Sequence, residues 1–163
     1  LASGVPGSVA GLPTALARYG TLPLETVMAP AIRLADSGFT VDSVLARSVA
    51  GNASRIAPYA GAAVFLPGGH PLAMGSMFRQ PALAATLRSI AALGAPAFYS
   101  GAIADDIAAE MKRGGGIITK ADLANYAPVW RAPLAGTFRG YSLLVMPPAL
   151  LLSLLAVVLQ RLH

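Results

Sequence analysis

The stretch "QPALAATLRSIAALGAPAFYSGAIADDIAAEMKRGGG" (residues 80–116) decides the fold, because it carries the two clearest helical patterns of the chain. In the first pattern, Leu83, Leu87 and Ile90 recur at helical spacing. Pro81 stands at the start, where a missing N–H costs little, and a glycine follows the last periodic residue. The spacing therefore predicts a helix that ends in a turn.

The second pattern, "GAIADDIAAEMKRGGG" (residues 101–116), places Ile103, Ile107 and Met111 on one helix face. Two adjacent aspartates near its start and a Lys-Arg pair at its end both complement the helix dipole. The three glycines that follow predict a C-terminal cap and a loop.

The same signals predict further helices on either side of this stretch. One helix spans residues 8–19, and another lies within residues 21–39, with Val27, Ala31, Leu34 and Ala35 as its apolar face. Pro30 within the second of these helices predicts a kink or a new helix start at that residue. A third helix is predicted over residues 42–56, with Asp42 or Ser43 as N-cap. A short capped helix is predicted from Thr119 to Asn125.

The period changes after Tyr126, where short runs rich in aromatic and β-branched residues replace the helical spacing. These runs predict a hairpin with strands at 134–138 and 141–146, and Leu143–Met146 is apolar throughout, as in a strand buried on both faces. The fold class is therefore α+β. We divide the chain into a helical block (1–126), a β-hairpin that joins a central sheet (127–148) and an apolar tail (149–163).

The tail contains "ALLLSLLAVVL" (residues 149–159). As a helix, this run measures about 16 Å, whereas a bilayer needs about 30 Å and some 20 residues. Pro147-Pro148 prevents its extension towards the N-terminus. Membrane spanning by the tail is not expected, and a helix packed against a partner is the simpler interpretation.

Composition indicates either a membrane protein or a chain much of whose surface is covered by something else. Hydrophobic residues make up 55% of the chain and charged residues only 12%, against about 25% charged in a typical soluble domain. The net charge is +5, but the basic residues are scattered singly and form no stripe with interleaved aromatics. We therefore expect no nucleic-acid partner.

Catalytic and metal-binding patterns are missing from the sequence. The chain has no cysteine, and neither His70 nor His163 has a partner at metal-ligand spacing. Asp105 and Asp106 are adjacent, so on a helix their side chains point about 100° apart and cannot act as a catalytic pair. No nucleophile elbow G-x-S-x-G occurs, and the glycine-rich loop of residues 4–11 lacks the spacing of a phosphate loop. We predict no catalytic, substrate-binding or metal-binding residue in this chain and no cofactor.

Five segments together resemble one family, the γ-glutamyltranspeptidases, also called glutathione hydrolases. They are "GVPGSVAG" (4–11), "MAPAIRLADSGF" (28–39), "FYSGAIADDI" (98–107), "GGGIITKADLANY" (114–126) and "RGYSLLVMPP" (139–148). Their order and spacing are similar to the middle and later part of the family's large subunit, over about residues 2–148. After Pro148 the family usually continues into a Ser-Ser-Gly-Gly turn, which this chain lacks.

The resemblance implies part of an αββα sandwich of the N-terminal-nucleophile hydrolases. Such enzymes are made as precursors that cleave themselves, so that a threonine at the start of the small subunit becomes the nucleophile. It further implies the small subunit as partner, γ-glutamyl substrates such as glutathione, and a periplasmic or secreted location. The threonine and the arginine that clamps the substrate carboxylate fall outside this chain, so the fragment alone is expected to be inactive.

Two alternatives stay open. The chain could belong to a relative with the same fold that cleaves another acyl amide, such as a cephalosporin acylase. It could also be a degenerate, non-enzymatic remnant whose tail after Pro148 arose by frameshift or truncation.

Overall fold

A computed structural model describes residues 4–146, which fall into two compact units with the boundary between Ala127 and Pro128. Each unit is considered by itself. The predictions for the tail, residues 149–163, lie outside the described residues.

The first unit is helical, with two very short strands. Its helices are α1 (Ser8–Tyr19), α2 (Leu24–Ser37), α3 (Ser43–Ile56), α4 (Ala62–Phe65), α5 (Pro81–Leu93), α6 (Pro96–Tyr99), α7 (Ala102–Arg113) and α8 (Lys120–Ala124), with a 3₁₀ turn at Pro67–Gly69. Its strands are β1 (Phe39–Thr40) and β2 (Met77–Phe78), which pair antiparallel. The predicted helices are present, and α4 and α6 are additional.

Local hydrogen bonds explain where the predicted helices begin and end. The Asp42 carboxylate accepts from the Leu45 N–H at 2.7 Å and so caps α3. At the end of α7, Gly115 has φ +69°, and the Gly116 N–H donates to the Met111 carbonyl at 2.7 Å. This is a Schellman cap, which needs a residue that tolerates positive φ. The glycine run therefore forms the predicted C-terminal cap.

Helix α2 departs from its prediction in two ways. It runs unbroken through Pro30, so a new helix start at that residue is wrong. The predicted apolar face is also misplaced, because Val27 and Leu34 are exposed while only Ala35 is buried. The less accessible side chains lie on a neighbouring stripe that includes Met28 and Ile32.

Helices α2 and α5 pack side by side and are tied together at their ends. The Gln80 N–H donates to the Ala35 carbonyl at 2.8 Å, and the Arg88 guanidinium pairs with the Asp36 carboxylate at 2.5 Å. Next to this junction, β1 and β2 pair Phe39 with Phe78, and their rings meet edge to face at 5.7 Å. Residues 39 and 78 therefore close a loop that contains α3 and α4.

Two apolar clusters form the interior of the first unit. The first cluster joins α1 and the loop before it to α6, α7 and α8, and its buried residues are Ala10, Tyr99, Ala104, Ile118 and Leu123. The second packs α3 against the segment that follows it, and its buried residues are Val41, Val49, Leu66, Leu72 and Phe78. No charged side chain between residues 4 and 146 is buried.

The second unit contains the predicted hairpin, β3 (Leu134–Phe138) and β4 (Tyr141–Val145), in antiparallel register with Phe138 opposite Tyr141. Arg139 and Gly140 form the turn with φ of +48° and +82°, as a two-residue hairpin loop of type I′ requires.

The expectation that Leu143–Met146 is buried on both faces is wrong for the described chain, in which Leu144 is 72% exposed and all four residues are exposed. Among residues 4–146 this sheet consists of β3 and β4, and both strands are largely exposed.

Candidate functional site

The side chains that a reaction would need do not converge in the described part of the chain. Between residues 4 and 146 there is no group of three or more histidine or carboxylate side chains that could hold a metal ion. His70 is exposed in a turn after the 3₁₀ segment. His163 lies outside the described residues.

The two adjacent aspartates of α7 behave as surface charges. Asp105 forms an ion pair with Lys120 at the start of α8, and Asp106 is exposed. A shared proton between two catalytic carboxylates requires close approach in a secluded site. Both aspartates are exposed, so the pair does not lie in a secluded site.

The glycine-rich loop of residues 4–11 is anchored by Tyr99, a residue that sequence reasoning did not single out. The Tyr99 hydroxyl donates to the Pro6 carbonyl at 2.5 Å and accepts from the Ala10 N–H at 3.2 Å. Tyr99 also stacks on Tyr126, with ring centroids 5.4 Å apart and planes 13° apart. A Cβ at Gly7 would overlap the Tyr126 hydroxyl, so a larger residue at this position would displace the Tyr126 ring.

Burial raises the pKa of Tyr99 above its ordinary value, partly offset by the hydrogen bond from Ala10, while nearby Tyr126 raises it further. The phenol therefore stays protonated and keeps its O–H for Pro6. Its chemistry is that of a structural hydrogen bond, and the loop serves as a fixed turn into α1 rather than as a phosphate loop.

An apolar groove of about 490 Å³ lies where α1, α2 and α5 meet. We call it the α1–α2–α5 groove. Its lining residues are Ser8, Val9, Leu12, Pro13, Leu16, Leu24, Val27, Met28, Leu87 and Ile90. None of these side chains is ionisable. The groove can therefore receive an apolar surface, but it offers no group for proton transfer or nucleophilic attack.

A second, more open groove of about 820 Å³ follows α3 and includes Ser48, Asn52, Arg55 and Tyr59. The Arg55 guanidinium donates to the Asn52 side-chain oxygen at 3.3 Å. Arg55 is the one ionisable group besides a tyrosine in this lining, so this groove, too, lacks an acid–base pair.

Solved structures of other proteins share the fold of this chain. The γ-glutamyltranspeptidase of Helicobacter pylori superposes with a TM-score of 0.86 at 41% identity, covering 91% of this chain and 43% of that one. A cephalosporin acylase from Bacillus halodurans superposes with a TM-score of 0.81 at 35% identity, covering 88% of this chain and 28% of that one. The structural neighbours are N-terminal-nucleophile hydrolases, and the predicted fold class is confirmed.

Sequence comparison gives the family. The family model for γ-glutamyltranspeptidase matches residues 1–163, a range that includes the tail beyond Pro148. The glutathione hydrolase proenzyme of Escherichia coli is 46% identical over 150 residues, which cover 91% of this chain. The chain belongs to the γ-glutamyltranspeptidase family, and the resemblance is confirmed.

Three further facts bear on the function. The acylase ACY 1 proenzyme of Pseudomonas sp. strain SE83 is 45% identical over 88% of this chain, so acylases stand beside glutathione hydrolases among its relatives. The chain spans about a quarter of the length of these curated relatives (26%). Within residues 4–146, no helix combines the length and apolar character that a membrane crossing needs.

Proposed function

We propose that this chain is part of the large subunit of a γ-glutamyltransferase/glutathione hydrolase, whose whole form cleaves γ-glutamyl amide bonds in substrates such as glutathione. The observation that carries the proposal is the 46% identity to a glutathione hydrolase proenzyme over nine-tenths of the chain. The enzyme is expected to be periplasmic or secreted.

In the proposed mechanism the chemistry belongs to the small subunit of the same precursor. Self-cleavage frees a threonine there, its hydroxyl attacks the γ-glutamyl carbonyl, and its own α-amine takes the proton. The amine of the substrate leaves, and water or an acceptor amine then releases the glutamyl group. In this proposal the chain contributes scaffold to the whole enzyme.

The proposal predicts that the 163-residue chain alone does not hydrolyse a γ-glutamyl anilide. It also predicts γ-glutamyl hydrolysis by a chimera of the Escherichia coli relative in which the matching 150 residues are replaced by those of this chain. Release of the coloured anilide and the appearance of two subunits on a denaturing gel measure both results. Turnover by the isolated chain would contradict the proposal, as would a chimera that neither cleaves itself nor turns over substrate.

A second candidate is an acylase for another acyl amide, which the identity to acylase ACY 1 and the superposition on a cephalosporin acylase favour. The discriminating residue is the arginine that would clamp the α-carboxylate of a γ-glutamyl substrate. Sequencing the DNA upstream of residue 1 decides between them, because an encoded clamp arginine supports the glutathione hydrolase and its absence supports the acylase.

A third candidate, a degenerate remnant without activity, is tested by the downstream DNA. A continuous reading frame that reaches a threonine nucleophile segment supports the enzyme. If Ser-Ser-Gly-Gly and a threonine segment are encoded in a different frame after Pro148, the remnant is supported.

A further inference from the structure

The groove beside α3 is lined by apolar and polar side chains together, and we call it the α3 groove. Its apolar lining includes Leu45, Val49, Ile56 and Phe65, and its polar lining consists of Ser48, Asn52, Arg55 and Tyr59. None of these four apolar residues is exposed, whereas Ser48, Arg55 and Tyr59 are. The groove therefore has an apolar floor and a polar rim.

The Asn52 side chain holds Arg55 in place on this rim. Its amide nitrogen donates to the Ser48 carbonyl at 2.8 Å, and its amide oxygen accepts from the Arg55 guanidinium at 3.3 Å. A guanidinium has five N–H donors, and this hydrogen bond uses one of them. Arg55 forms no ion pair with a carboxylate of residues 4–146, so its remaining donors can bind a ligand.

The charge along this part of the chain decides the sign of that ligand. The sequence contains no aspartate or glutamate from Ser43 to Ala104, and the Asp42 carboxylate caps α3 at its other end. Arg55 lies in the last turn of α3, where the helix dipole contributes about half a negative charge. The full positive charge of the guanidinium exceeds that contribution, so the rim favours an anion.

We propose that the α3 groove binds a small organic carboxylate with an apolar body, of the arylalkanoate class. The planar guanidinium of Arg55 matches a carboxylate in shape and in its single charge, whereas a phosphate group carries nearly two charges and calls for further donors. The apolar body of the ligand lies on the floor of the groove, and the ring of Tyr59 is available to stack on an aryl group. A mostly apolar groove with a few polar groups that fix orientation is typical of small-molecule sites.

This site is separate from the proposed reaction, because the lining comes from residues 45–65 and includes no catalytic group. Its test is an NMR titration of the ¹⁵N-labelled 163-residue chain with 3-phenylpropionate. We expect saturable amide shifts within residues 45–65 and a Kd of about 1 mM, as is usual for a ligand of this size. The uncharged 3-phenylpropanamide has the same ring and should bind about tenfold more weakly, because it lacks the charge-assisted hydrogen bonds.

Two arginine variants assign the binding to the guanidinium. Arg55→Gln should weaken binding of 3-phenylpropionate about tenfold and leave binding of the amide unchanged. Arg47→Gln is the matched control, since Arg47 is another exposed arginine of α3 and lies outside the lining of the groove. It should bind both ligands as the native chain does.

Three results would overturn the proposal. They are equal affinities for the carboxylate and the amide, equal losses in Arg55→Gln and Arg47→Gln, and shifts that do not saturate or that fall outside residues 45–65. If circular dichroism shows that Arg55→Gln has lost helix, Arg55→Lys takes its place. Arg55→Lys keeps the charge without the planar fork, so it should bind the carboxylate more weakly than the native chain and more tightly than the amide; equal binding of the two ligands by this variant would likewise overturn the proposal.

Discussion

At the scale of single residues, Tyr99 has the most consequential contacts in the described chain. It links α6 to a loop more than 85 residues earlier, and its hydroxyl is the partner of the Pro6 carbonyl and of the Ala10 N–H. Ala10 is buried, and a buried N–H that loses an acceptor keeps its desolvation cost, so this hydroxyl matters more than an exposed one.

Replacing Tyr99 with Phe should therefore lower the free energy of unfolding by about 1–3 kcal/mol, because Pro6 loses its donor while the ring packing remains. Urea unfolding followed by circular dichroism measures the change. Tyr59→Phe is the control, since Tyr59 is exposed and should change stability little. Equal effects in the two variants would show that the hydroxyl of Tyr99 does not hold the loop.

No sequence signal identified Tyr99, and the reason is its long-range role. Hydrogen bonds that span about 90 residues leave no local period, whereas caps and glycine stops act within a few residues. The glycine-rich residues 4–11 predicted a turn, but they gave no sign that Tyr99 holds that turn in place.

At the scale of elements, the capping box of α8 is the best-defined local device. The Asp122 carboxylate accepts from the Thr119 N–H at 2.8 Å and from its hydroxyl at 2.7 Å, while the Asp122 N–H donates to the Thr119 hydroxyl oxygen at 3.2 Å. These bonds from Thr119 lower the pKa of Asp122 below its ordinary value. The ionised carboxylate is therefore favoured in the folded state.

A folded-state pKa below the unfolded one adds stability that is present above the unfolded pKa and lost as pH falls through the folded pKa. Asp122→Asn should thus unfold more readily than the native chain at pH 6, and the difference should narrow towards pH 2, as the carboxyl of the native chain takes up its proton. Thermal unfolding at the two pH values measures this.

Asp106→Asn is the control for the same experiment, because Asp106 is an exposed aspartate of α7. It should show no comparable difference at either pH. A gap between Asp122→Asn and the native chain that persists unchanged at pH 2 would contradict the role given to the carboxylate. Glu110, whose pKa is lowered by the hydrogen bonds from Arg113, remains as a second source of acid sensitivity in every variant.

The longer helices, and the residues at which they begin and end, could be predicted from the sequence because proline, glycine and N-cap residues act locally. Helix α1, predicted for residues 8–19, is found at Ser8–Tyr19. The four-residue helices α4 and α6 were missed, since four residues are too few to display a period. Burial was predicted less well, as α2 shows, because the buried face depends on where a neighbouring helix packs.

At the scale of the whole molecule, stability is expected to be uneven. A two-stranded hairpin is marginal in water by itself, and both strands β3 and β4 are largely exposed. Helix α5, by contrast, packs against α2 and buries Ala84 and Ile90.

Amide hydrogen exchange should therefore be at least a hundredfold faster in β3 and β4 than in the middle of α5 of the isolated chain, because local opening of an uncovered hairpin costs little. Exchange followed by NMR or mass spectrometry gives both rates. Hairpin amides as well protected as those of α5 would mean that the strands are covered in the isolated chain.

The pairing of Phe39 with Phe78 has a consequence for how the family can vary. The segment between them leaves the α2–α5 pair and returns to the same place, so its two ends are fixed whatever lies between. Lengthening a closed excursion costs only about 0.6 kcal/mol for each doubling of its length. Insertions in the loops of this segment, outside the residues of its apolar cluster, are therefore expected to leave the helices from which the excursion departs undisturbed.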